Sequence, residues 1–187
     1  PSLHSAIARM KSGKSVGRVV GLLLHAVFVL GVVHFQVRQS SVLSGSEHVG
    51  EVAASSGQVI ASAFVSVLGG SISILVAVIL IPVFRSVRDE LAFAYLAFSV
   101  VNFVMIAVDT VSVMSVLEMS RAISGGEGAP DSLVDLVYRR QWWTHHLYLL
   151  MSCLPVLILY SGLYLSHGVP KALALFGVVA VVLMALE

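Results

Sequence analysis

A single carboxylate stands deep in apolar sequence. Asp109 lies in Ile106-Ala107-Val108-Asp109-Thr110-Val111, about two thirds of the way along a run that stays apolar from Leu91 to Leu117. A charged group at the centre of a bilayer costs at least ~2.5–3.5 kcal/mol on insertion scales, which makes Asp109 a functional candidate. Asn102 stands seven residues earlier, so at ~3.6 residues per turn it lies on the same face, two turns away. The two form a candidate intramembrane polar site. The competing reading is that Asp109 only hydrogen-bonds a neighbouring helix near the interface.

The histidines extend that site. If the apolar runs are antiparallel helices, His34, Asp109, Glu118, His145 and His146 fall at roughly one depth. Imidazole and carboxylate are ligands for zinc, iron or manganese, and helix bundles build such sites from facing helices. His34, Glu118, His145 and His146 are therefore the candidate metal or haem set, with a proton relay as a third use. No HExxH or ExxH motif supports it. Neighbouring His145 and His146 project about 100° apart, so at most one faces the interior. The plainer alternative is interfacial side chains satisfied by water and headgroups. His25 has no partner at matched depth and reads as a neutral, hydrogen-bonded histidine.

Small residues recur at helical spacing. Ser62, Ser66 and Gly70 form one ridge, Gly69, Ser73 and Ala77 a second, and Gly17-xxx-Gly21 a third. Such ridges let helix backbones approach closely in lipid. The expectation is packing within the bundle, or a face for a membrane partner or a homo-oligomer. Gly13-Lys14-Ser15 is not a phosphate loop, because Ala8 occupies the first glycine position and no strand precedes it. No GxSxG nucleophile elbow is present.

The elements that must carry these residues follow from composition. Of 187 residues, 58% are hydrophobic and 11% charged, whereas a soluble domain is about half apolar and a quarter charged. So few charges cannot cover a water-facing surface, and lipid is the solvent that tolerates the rest. The runs do not alternate as barrel strands would. The reading is an all-α, polytopic transmembrane bundle with about five spans: 19–37, 58–84, 91–117, 142–166 and 172–186. Polar loops at 38–57 and 118–140 close one end, and residues 4–10 suit a short interfacial helix. The last run is short for a span, which leaves open whether that helix is complete. Pro82 and Pro155 are expected to kink or end their helices. A net charge of +1 gives no case for nucleic acid. The single cysteine, Cys153, excludes an intrachain disulfide.

Lys and Arg set the orientation. With the N-terminus cytoplasmic, Arg9, Lys11, Lys14, Arg18, Arg85, Arg88 and Lys171 are inside, against Arg38, Arg121, Arg139 and Arg140 outside. Trp142 and Trp143 then fall at the outer interface, where aromatic belts lie.

Two stretches carry a family resemblance. Arg18-Val19-Val20-Gly21-Leu22-Leu23 opens the first span, and Tyr160-Ser161-Gly162-Leu163-Tyr164-Leu165-Ser166-His167-Gly168-Val169-Pro170-Lys171-Ala172-Leu173 joins the last two. Together with the layout of spans and loops, they resemble the DUF4386 family of bacterial integral membrane proteins. The resemblance implies a helical bundle in the bacterial inner membrane and carries no mechanism. An acidic residue expected in the family's second span is not found, and the family's further helix does not follow the last run.

Three functional readings remain. The chain acts without catalysis by packing on a partner or itself; it is a metal- or haem-dependent redox protein or enzyme with a site at the outer face; or it is a small transporter or channel with Asn102 and Asp109 on the path.

Overall fold

The computed structural model describes residues 13–41, 46–167 and 169–186. The interfacial helix expected at residues 4–10 lies outside them. Among the described residues, five α-helices follow one another up and down: α1 (Gly13–Ser41), α2 (Ser56–Arg85), α3 (Asp89–Ser124), α4 (Asp131–Leu165) and α5 (Lys171–Leu186). A 3-10 helix, Ser46–Ser55, joins α1 to α2. No described residue lies in a strand.

The all-helical bundle follows from its solvent. In hydrocarbon every backbone N–H and C=O must be bonded within its own segment or in a closed barrel. Hydroxyls in the spans obey the same rule: Ser73, Ser99, Thr110 and Ser115 each donate to the carbonyl four residues earlier. α1 to α4 each contain a stretch long and apolar enough to cross a membrane. α5 has 16 residues, hence a length of ~24 Å against a hydrocarbon core of ~30 Å. The outward side chains are those of a lipid-facing surface, with Phe64 74% and Phe176 72% exposed.

Sequential helices pack on one another, α1 on α2, α2 on α3, α3 on α4 and α4 on α5, while α1 and α4 approach each other at few points. The core divides into two. Near the turn between α2 and α3, Val76, Leu80 and Phe84 meet Ala92 and Tyr95, with the Phe84 and Tyr95 rings 5.4 Å apart. At the opposite end, Val49 and Val52 of the 3-10 helix pack on Val59, Val113, Val116 and Leu117.

That second cluster changes the picture of the loops. The stretch 38–57 is in large part a folded cap. The stretch 118–140 is mostly helix, since α3 runs on to Ser124 and α4 begins at Asp131. Charge in these segments marks where the chain leaves lipid, and solvated helix tolerates it. Glu118 and Arg121, for example, pair along the surface of α3 at 2.7 Å. The actual break is short, and Gly126, at φ 84°, takes the left-handed turn that glycine permits. Neither proline ends a helix: Pro82 lies near the end of α2 and Pro155 in the middle of α4.

One contact pins the cap. The backbone N–H of Ala53 donates to Ser120 Oγ at 2.7 Å, and Ser120 is fully buried. Ser120→Ala strands that N–H and should cost about 1 kcal/mol. Hydrogen exchange of the Ala53 amide should accelerate roughly fivefold, the same energy read as a rate. Unchanged exchange there would mean the cap is held by its valines alone.

Candidate functional site

Helical geometry puts Asp109, Ser112, Val113 and Val116 along one stripe of α3, and all four are buried. Facing them on α4 are Gln141 and His145, one turn apart and also buried. Gln141 Nε2 donates to Asp109 Oδ1 at 3.5 Å. His145 Nδ1 lies 4.0 Å from the same oxygen, with both side chains under a tenth exposed. Gln141 Oε1 and Ser112 Oγ have no hydrogen-bond partner among the described residues. The result is a buried polar seam between α3 and α4, beside the valines on which the cap packs.

Beside this seam lies a cavity. α1 contributes His34 and Leu30, α2 Ser66 and Gly70, α3 Asn102, and α4 Tyr148, around a volume of about 190 Å³. A smaller lobe of about 100 Å³ continues toward Tyr95 and Pro155, sharing Val27, Ser73, Asn102 and Val156 with the first. Asn102 Oδ1 is shielded from solvent and has no partner among the described residues. His34 Nδ1 bonds the Ser62 carbonyl at 3.0 Å. A carbonyl only accepts, so Nδ1 carries the proton, and Nε2 is the acceptor in the neutral ring.

The residues expected to act together therefore separate. Asp109 and His145 meet. Asn102 lines the cavity, whereas Asp109 sits in the seam. His34 is held by Ser62. Glu118 is exposed and paired with Arg121. His146 is exposed, stacked on Trp142 and bonded to its carbonyl at 2.7 Å. The shared depth read from sequence was not enough, because rotation about each helix axis sends Glu118 and His146 outward. Among the described residues no three His, Cys, Asp or Glu side chains gather in a way that could hold a metal ion. Gln141 was missed because it precedes the apolar run. Its spacing of four from His145 was the signal that could have revealed it.

Residues 19–187 match the family described as a domain of unknown function, DUF4386. The chain belongs to the DUF4386 family. No curated protein and no solved structure matches it.

In this DUF4386 bundle the small residues divide into two groups. On α2, the Ser62 carbonyl receives His34 of α1, and Ser66 Oγ lies 3.3 Å from Thr110 Oγ1 of α3. A Cβ on Gly70 would stand 2.8 Å from Ile106 Cδ1 and 2.9 Å from Phe103 Cδ2. That ridge is a true helix contact. Gly17 and Gly21 of α1 are different, because nothing lies within 4 Å of a Cβ built on either. Among the described residues they pack on no other element. The tightest approaches are two glycines not singled out from sequence: Gly162 against the Phe84 ring and Gly177 against the Tyr160 ring.

Proposed function

We propose that this chain is a non-catalytic, multi-pass protein of the bacterial cytoplasmic membrane, with its N-terminus inside, that acts by pairing with a second copy of itself through the outer face of α1. The distribution of Lys and Arg supports the orientation, and the four long apolar helices support the membrane setting.

The observation that carries the pairing is His25. It is exposed in the apolar part of α1 and bonds no described residue. It was expected to be a neutral, hydrogen-bonded histidine, and its face of α1 turns away from the core. A polar group left unpartnered in hydrocarbon costs on the order of 1–3 kcal/mol. Gly17, Gly21, His25, Phe28, Val32 and Phe35 are all exposed, and at ~100° per residue they fall within an arc of about 80°. The opposite seam of α1, with Val16, Val20 and Leu23, packs on the core. Only 6% of the apolar window of α1 is buried, against 22–28% for those of the other three spans.

This outer seam suits a two-fold pair. The glycines let two backbones approach, as small-xxx-small motifs do. Imidazole both donates and accepts, so two His25 side chains satisfy each other across the axis.

Cross-linking in native membranes tests the reading. In a Cys153→Ser background, Gly21→Cys should give about tenfold more disulfide dimer than Phe64→Cys, which is lipid-exposed on α2. Equal yields from the two positions would overturn the pairing.

A further inference from the structure

We infer that the two-lobed cavity between α1 and α4 is a binding site for a neutral amphiphile with a hydroxyl head, taken sideways from the bilayer. This goes beyond the pairing reading and does not depend on it, because α1 lines the cavity with Leu24, Val27, Leu30, Gly31 and His34, and not with Gly17, Gly21 or His25.

The chemistry of the lining sets the class of ligand. Asn102 Oδ1 sits where the lobes join and accepts no hydrogen bond from any described residue. An acceptor left open in an apolar wall calls for a donor from the occupant, because an unmade bond at such a site costs the full desolvation of the group. The described lining holds no Lys or Arg to neutralise a phosphate or carboxylate head, and no Asp or Glu to balance an ammonium. A hydroxyl fits, since it donates to Asn102 Oδ1 without bringing charge. The serines around it, Ser66 and Ser73, already donate to carbonyls of their own helix.

Size and access agree with this choice. The larger lobe, at about 190 Å³, exceeds the ~150 Å³ cavity that holds a benzene-sized molecule. It takes a head and the first few carbons of a chain, and the rest of the chain must leave. α1 and α4 approach each other at few points, so the gap between them leads to hydrocarbon. The cap and the α3–α4 seam close the route toward the nearer aqueous side.

The probe is a long-chain alcohol carrying a diazirine beside its hydroxyl, added to the purified full chain in lipid nanodiscs. Photolabelling should saturate and map to 27–34 of α1 and 148–156 of α4. Unlabelled hexadecanol should compete about tenfold better than hexadecyl methyl ether, the difference one donated hydrogen bond makes. Asn102→Leu should erase that preference. The comparison of alcohol with ether in the unaltered chain stands even if the variant fails to fold. Equal competition by the two, or labelling that does not saturate and spreads over lipid-facing positions such as Phe64 and Phe98, would overturn the site.

Discussion

Replacing Asp109 by alanine is expected to destabilise the folded bundle by about 2–3 kcal/mol. The carboxylate is the shared partner of Gln141 and His145, all three buried in the seam between α3 and α4. Interhelical hydrogen bonds in membranes are worth ~0.6–1.7 kcal/mol each, and the stranded Gln141 and His145 groups add desolvation that nothing offsets. Asp109→Asn keeps an acceptor in place and should cost about half as much. Trp142 follows Gln141 directly, so tryptophan emission during unfolding in a denaturing detergent reports on this seam. His145→Ala added to Asp109→Ala should cost clearly less than His145→Ala alone, because residues in one network do not add. Strict additivity, or an Asp109→Ala bundle as stable as the parent, would mean the seam contributes nothing to holding α3 on α4.

Gly162→Val is expected to cost at least as much, about 3 kcal/mol, for a steric reason. A Cβ on Gly162 alone would come 2.7 Å from Phe84 Cε1 and Cζ. Phe84 is fully buried and stacks against Tyr95, so it has little room to retreat. Overpacking a filled core costs ~1–3 kcal/mol, occasionally more, and valine adds two methyl groups beyond that first clash. Phe84→Leu in the same chain should recover much of the loss by vacating the space, which a double-mutant cycle measures. Gly21→Ala is the counterpart, because open space surrounds it within the bundle, and the stability of a single chain should hardly change. If Gly162→Val behaved like Gly21→Ala, the contact between α2 and α4 would be looser than the structure shows.

The contrast between these glycines shows how far the sequence was legible. Helix number and the membrane setting were readable because apolar runs this long admit one solution in lipid. Helix ends were less so. Glu118, Arg121, Asp131 and Asp135 look like loop residues by composition, yet they ride on α3 and α4. Polarity reports where the chain meets water, and backbone geometry decides where a helix stops. Gln141 shows the cost of confusing the two: placed outside the expected span, it proved to be fully buried against Asp109.

Azimuth was not legible. His34, Asp109, Glu118, His145 and His146 were expected at one depth, which says nothing of how each helix is turned. Which of them meet depends on the rotation of each helix, and that is set by packing far along the chain. Gly17 and Gly70 sit in equally plausible small-residue ridges, and only the fold separates a ridge pressed on Phe103 from one that meets no described neighbour.

α3 and α4 are longer than any bilayer requires. At 36 and 35 residues they measure ~54 and ~52 Å, against ~30 Å of hydrocarbon. They exceed even the ~40–45 Å that a bilayer spans with its headgroups, and Gly126 lies in the turn where the two helices meet. An epitope tag spliced in there would report directly which side of the membrane that turn faces.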